Sequence, residues 1–263
     1  MSSSGEQLPI EPAPRPWPLS PEPEPVFGLL TVGLTFLATL LAVVFMGGVA
    51  LVVAHRVPAF SQLGMTELSN EPLVLIPAQM AAYGMVLLLL WRFFTRHCGM
   101  EFFRALSWNR PARWPLFFVA GIALAVVVDL SAHFLPAPPE LPVDKMLRTP
   151  TDAWLLSVFG VLIAPFFEEI LFRGLLFPAL ARRTGALLSL VATSVLFGVV
   201  HEPQLAHAWF QVAFIMAVSM VLTGIRWRFR SLAASTLVHV GYNATLFGAL
   251  MVQTHGFTRF PVK

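Results

Sequence analysis

The stretch Phe166-Phe167-Glu168-Glu169-Ile170-Leu171-Phe172-Arg173 decides how this chain folds. It sets three charges inside a segment that is otherwise apolar from Trp154 to Leu180. A charge at mid-membrane depth costs about 2.5–3.5 kcal/mol on insertion scales, so these groups need partners. Glu169 and Arg173 are four apart, which on a helix puts them on one face in the favourable acid-first order. Glu168 then points about 100° away and has no local cation. A carboxylate left that way in apolar surroundings is a competent acid or base near neutral pH.

The rest of the chain sets the same environment. Of 263 residues, 57% are hydrophobic and only 12% charged, against about 25% charged in a soluble domain. This composition reads as an integral membrane protein. The net charge of +3 is small and spread over loops, which argues against nucleic-acid binding. The single cysteine, Cys98, excludes an intrachain disulfide and a multi-cysteine metal site, and reads as a plain surface thiol. Residues 1–26 hold eight prolines and four glutamates with only Arg15 positive, and read as a disordered tail rather than a secretory signal.

A helix needs about 20 apolar residues to span a bilayer. Seven runs qualify or come close: Phe27–Ala54, Leu73–Trp91, Leu116–Leu135, Trp154–Leu180, a short Ala186–Val200, Ala206–Ile225 and Leu232–Val252. The expected fold is an all-α, polytopic transmembrane bundle of about seven to eight spans, forming one membrane domain over residues 27–263. Pro165, one turn before Glu168, is a candidate break in the fourth span. The segment Met100–Leu106, with Trp108 and Trp114, reads as an interfacial anchor. With seven spans, Arg15, Arg92, Arg96, Arg104, Arg110, Arg113, Arg182, Arg183, Arg226, Arg228 and Arg230 share one side. Arg56, Lys145, Arg148, Arg259 and Lys263 fall on the other. The excess places the N-terminus in the cytoplasm, and the expected location is the plasma membrane of a prokaryote.

Two later spans carry polar residues at helical spacing. Phe197-Gly-Val-Val-His201 ends the fifth, and His239-Val-Gly-Tyr-Asn243 lies within the seventh. Glu168, His201, His239 and Asn243 on hydrophobic helices can be satisfied only in the bundle interior. Their types fit peptide hydrolysis. A glutamate takes the proton of an attacking water, a histidine orients that water or shuttles the proton, and a second histidine with an amide donates to the oxyanion. The same Glu168, His201 and His239 could instead hold a divalent metal such as zinc. Asp129 and His133, four apart in the third span, read as a mutual pair or as lining for a water path.

Glu168-Glu169-x-x-x-Arg173, Phe197-x-x-x-His201 and His239-x-x-x-Asn243 together resemble the three signature motifs of the CPBP family, the CAAX-protease and bacteriocin-processing intramembrane endopeptidases also called Abi proteins. The resemblance covers about residues 151–253. It implies Glu168 and His201 as the water-activating pair, His239 and Asn243 as the oxyanion site, and Glu169, Arg173 and Phe197 as structural support. It also implies a membrane-attached substrate, a lipidated peptide or protein among the candidates, and leaves metal dependence open. Two rivals stand beside it: a non-catalytic immunity or scaffold protein of the same fold, and a proton-coupled carrier. A carrier is expected to show internal repeats, and the sequence has none that is convincing.

One expectation conflicts with the others. Counted along the drawn spans, His201 comes out deep, His239 shallow and Glu168 near the middle, depths that differ by more than about 10 Å. The motifs therefore require a span that is tilted, broken at Pro165, or begun earlier than drawn.

Overall fold

The computed structural model describes residues 27–134, 142–205 and 208–259; the N-terminal tail lies outside them. Among these residues the secondary structure is helical throughout. Seven long helices follow the chain: α1 (Leu29–Ala54), α2 (Pro72–Arg92, continued by a π turn over Phe93–His97), α3 (Trp114–Ala132), α4 (Pro150–Thr184), α5 (Ala186–His201), α6 (Trp209–Phe229) and α7 (Leu232–Gln253). Each overlaps one of the runs read from the sequence, with ends displaced by a few residues.

The first six of these helices are long and apolar enough to cross a membrane. Large side chains such as Leu30, Leu34, Val44, Leu88, Val127 and Leu187 are exposed on their outer faces, as a lipid-facing surface requires. Helix α7 has the length but less apolarity, because His239, Tyr242 and Asn243 interrupt it. Its first half is covered, with Ala234, Val238 and Gly241 buried, while Leu246 and Val252 of its second half are exposed. The chain is a multi-pass integral membrane protein.

Helix α4 is the axis of the bundle. Pro150 opens it at a position where no N–H is needed, and Thr149 and Asp152 cap it reciprocally, Thr149 Oγ1 accepting from the Asp152 N–H at 3.2 Å and the Asp152 carboxylate from the Thr149 N–H at 2.9 Å. It ends at Gly185, whose φ of +81° lets one residue turn the chain directly into α5. Phe167, Ile170, Phe172 and Leu175 of α4 form the middle of the core with Phe94, Leu106, Phe197 and Leu232.

Helices α3 and α7 cross with their backbones in contact. A Cβ on Gly121 would overlap the Val238 carbonyl, and one on Gly241 would overlap that of Phe118. Glycine at both positions is what allows this approach, and it fixes the lateral position of the helix that bears His239.

The depth conflict disappears in the fold. Glu168 lies sixteen residues before the end of α4 and His201 fifteen residues after the start of α5, so both stand roughly 23 Å from the Gly185 turn. His239 reaches the same level although it is only seven residues into α7, because α7 starts inside the protein. The N–H of fully buried Leu232 donates to the Ser107 carbonyl at 3.1 Å, and Ser231 Oγ donates to that of Asn109 at 2.6 Å. The segment read as a surface anchor does this work: Phe102 and Leu106 are buried in the core, and the short helix Phe102–Ala105 lies beneath the start of α7.

Candidate active site

The site is built outward from the buried pair. Glu169 and Arg173 are fully buried, with Arg173 Nη1 donating to Glu169 Oε1 at 2.9 Å. Arg173 spends three more donors on α6: Nε on Thr223 Oγ1 at 3.2 Å, and Nη2 on Ser219 Oγ at 2.6 Å and on the Ser219 carbonyl at 3.3 Å. Its guanidinium also lies 4.4 Å from the centre of the Phe197 ring, a cation–π contact in a water-poor setting. One cation thus ties α4, α5 and α6 together.

Glu169 reaches the fourth helix. Its Oε1 accepts from His239 Nδ1 at 3.0 Å. The proton on Nδ1 leaves His239 Nε2 turned toward Glu168, 3.8 Å from Oε2. His201 is set in the same way by its own helix. Its Nδ1 lies 2.7 Å from the Phe197 carbonyl, which can only accept, so Nδ1 carries the proton and Nε2 faces Glu168 Oε1 at 3.8 Å. The Phe197 ring lies against both imidazoles, 4.4 Å from His201 and 6.0 Å from His239.

Glu168 is therefore not left over. Its partners are distant in sequence, one on α5 and one on α7. Unlike Glu169, its side chain keeps 20% of its exposure, because it faces a cavity of about 540 Å³. That cavity is lined mainly by apolar side chains, among them Leu75, Met146, Phe159, Leu246 and Phe247. Helix α5 ends at His201, whereas α4 and α7 continue past the site, so Pro203 and Gln204 form part of the cavity wall. The short turns Pro142–Met146 and Glu202–Leu205 pack against each other nearby.

Asn243 lines the cavity and has a second attachment. In the π turn Phe159–Ile163 of α4, the Ala164 N–H reaches five residues back to the Phe159 carbonyl. Pro165 has no N–H to give to the next carbonyl, that of Gly160. Asn243 Nδ2 supplies it, at 2.6 Å. Pro165 thus does not break the helix; it frees a carbonyl that locks α7 to α4. A second π turn, Ile170–Leu176, carries Arg173 and is likewise followed by a proline, Pro178. Such turns recur at functional sites because they re-aim side chains.

The structure gathers all seven predicted residues in one region. It does not gather Asp129 and His133, which are exposed on the outer face of α3, where His133 Nδ1 contacts the Asp129 carbonyl at 2.9 Å. It adds residues that motif reading missed. Ser219 and Thr223 hold Arg173. Gln79 donates to the Tyr83 hydroxyl at 2.8 Å in the cavity wall, and Tyr83 stacks on Phe167 with ring centres 3.7 Å apart. Both pairs are polar groups four apart in an apolar run, the spacing that exposed His239 and Asn243.

A metal is a separate question of fit. Ligands around a tetrahedral zinc at about 2.0–2.2 Å stand roughly 3.3 Å apart, closer than the 3.8 Å from Glu168 to either histidine. Among the described residues no group of three or more His, Cys, Asp or Glu side chains is gathered so as to hold a metal ion. Glu168 and the two histidines stand wider than the ligands of a closed tetrahedral zinc.

The fold and this cluster define a polytopic helical membrane protein with a carboxylate and two imidazoles at the head of an apolar cavity. Residues 150–245 match the family described as type II CAAX prenyl endopeptidase Rce1-like, and over that stretch the resemblance read from the three motifs is shown. The chain is also similar to the UPF0177 protein YbdI of Lactococcus lactis subsp. lactis (strain IL1403), 24% identical over 132 residues, which is 48% of this chain and 69% of that protein. No solved structure matches it.

Proposed function

We propose that this protein is an intramembrane endopeptidase that hydrolyses peptide bonds of membrane-attached substrates. The observation that carries the reading is the convergence on Glu168 of two imidazole Nε2 atoms, each with its Nδ1 proton fixed elsewhere. With both rings neutral the three groups accept the protons of a water, and with His239 protonated on both nitrogens its Nε2–H becomes a donor in the same space.

A water held there attacks the carbonyl carbon of the scissile bond and gives its proton to Glu168, with His201 orienting it. Glu168 then passes the proton to the departing amine nitrogen. The oxyanion is met by His239, which donates through Nε2 when both ring nitrogens are protonated, and by the second N–H of the Asn243 amide. Each such donor is worth about 2.7–4 kcal/mol in comparable sites. Glu169 and Arg173 take no part in the chemistry; they hold His239 in its tautomer and orientation.

The apolar cavity wall and the early end of α5 support entry of a substrate anchored in the bilayer. A CAAX-type lipidated tail is the candidate suggested by the family match. The test is to incubate the purified protein with a panel of lipidated C-terminal peptides and leader peptides and read the products by mass spectrometry. The reading expects an internal cleavage by the wild type and none by Glu168→Gln. Equal cleavage by both contradicts it.

A further inference from the structure

Helix α2 contributes Leu75, Ile76, Gln79 and Tyr83 to the wall of the cavity that holds Glu168. The two polar members are four apart and so share one helix face. They lie outside residues 150–245, the stretch that the family match covers. Gln79 Nε2 donates to the Tyr83 hydroxyl at 2.8 Å. That single bond leaves most of the pair's capacity unused, because a glutamine amide has two N–H donors and an acceptor oxygen, and a phenol has an O–H donor beside its lone pairs. Among the described residues, neither the Tyr83 O–H nor Gln79 Oε1 has a further protein partner.

Packing does not account for the hydroxyl. Tyr83 is only 9% exposed. Its ring stacks on Phe167 with centres 3.7 Å and planes 7° apart, and on Phe159 at 6.0 Å. A phenylalanine would stack in the same way and would ask for no polar partner in an apolar wall, where an unmet hydrogen bond is costly. Both stacking partners belong to α4, and Phe167 directly precedes Glu168. The ring is thus fixed beside the turn that carries the carboxylate.

A peptide chain in this cavity has the complementary need. Against Phe159, Leu246 and Phe247 its N–H and C=O groups are stripped of water. Many peptide-binding proteins meet such groups with the edge of a sheet. Among the described residues there is no strand, and helix backbones spend their own groups internally, so side chains must take over. The Tyr83 O–H fits a carbonyl and Gln79 Oε1 fits an N–H. Helices α2 and α7 both pack on α4, so a chain held by α2 on one side and by His239 and Asn243 on the other runs past Glu168.

We infer that Gln79 and Tyr83 form a subsite for the substrate main chain, the Tyr83 hydroxyl donating to a carbonyl and Gln79 Oε1 accepting from an N–H of an extended peptide. The subsite rests on the peptide-hydrolysing reading of the same cavity. It binds the chain, takes no part in proton transfer, and selects for an unsubstituted backbone instead of for particular side chains.

The test measures binding to the full chain in detergent by fluorescence anisotropy, in the Glu168→Gln background so that bound peptide is not turned over. The probes are the lipidated C-terminal peptides and leader peptides of the cleavage panel. The tightest binder is then remade with each backbone amide in turn replaced by an ester, which removes the N–H. One ester position is expected to weaken binding about 3–10-fold, the worth of one hydrogen bond, and adding Gln79→Met is expected to abolish that penalty. Tyr83→Phe, which keeps the ring stack, is expected to weaken the unmodified peptide by a similar factor at an unchanged melting temperature. No ester penalty at any position, a penalty that persists in Gln79→Met, or equal binding by Tyr83→Phe overturns the subsite and leaves the peptidase reading standing. A wild type that neither binds nor cleaves any member of the panel overturns that reading and the subsite with it.

Discussion

The Nδ1 of His239 and the Oε1 of Glu169 stand 3.0 Å apart, across two helices separated by seventy positions in the chain. The contact decides which nitrogen of His239 meets Glu168. Under the proposed function it makes Glu169, the second of the paired glutamates, a positioning residue. Glu169→Gln should therefore leave Glu168 and His201 in place yet lower cleavage, because its neutral side chain holds the His239 ring less firmly and no longer balances Arg173. The expected loss is in kcat more than in KM. A fall in KM-dependent binding alone would argue against this role.

Arg173 is fully buried and makes four hydrogen bonds. Removing one member of a buried pair costs about 3–5 kcal/mol because the other charge is left uncompensated. Arg173→Met should thus destabilise the protein strongly in a thermal or denaturant titration in detergent. The double variant Glu169→Gln/Arg173→Met should recover part of the loss.

The attachment of Asn243 to the Gly160 carbonyl separates structure from chemistry. Asn243→Ala leaves that buried carbonyl unpaired, at about 1–3 kcal/mol. Adding Pro165→Ala restores a backbone N–H in the same turn. Stability should then return, while cleavage should stay low if the amide also serves the oxyanion. Recovery of both would reduce Asn243 to a tether.

Gly121→Ala and Gly241→Ala should each push α3 from α7, since either Cβ would overlap the facing backbone. Overpacking of this kind costs about 1–3 kcal/mol. The expected readout is a lower melting temperature together with lower activity, because α7 carries His239.

Outside the spans, burial and the neighbouring Asp152 carboxylate push Glu71 above the ordinary carboxylate range, against the opposing pull of Arg148. A raised carboxyl is favoured in its protonated form in the folded state, so its contribution is most favourable below the unfolded value and is lost as pH rises. Glu71→Gln should raise the melting temperature at pH 7 and make little difference at pH 4. A gain that is the same at both values would contradict this.

The sequence revealed the helices and the polar residues that cluster between them for one reason: in lipid, polar residues are too costly to be scattered. Runs of apolar residues marked the spans, and Glu168, His201 and His239 stood out against them. What stayed hidden was what depends on register and on contacts across the chain. The depth of His239 depends on Leu232 being seated beneath Ser107, which no local pattern reports. The role of Pro165 depends on a π turn, whose five-residue hydrogen bond leaves the Gly160 carbonyl free for Asn243. Reading Met100–Leu106 as an anchor missed its buried half because Leu106 meets Leu232, more than a hundred residues later, over Gly174, and Phe102 packs on Phe94.

The measurement that tests the central claim most directly is the initial rate of peptide cleavage in proteoliposomes by the wild type, Glu168→Gln and His201→Ala, each before and after chelation. The account predicts that Glu168→Gln loses at least about 100-fold, in line with removal of a general base, with a near-normal melting temperature, and that the wild-type rate survives the chelator. A Glu168→Gln variant that cleaves at the wild-type rate would contradict it.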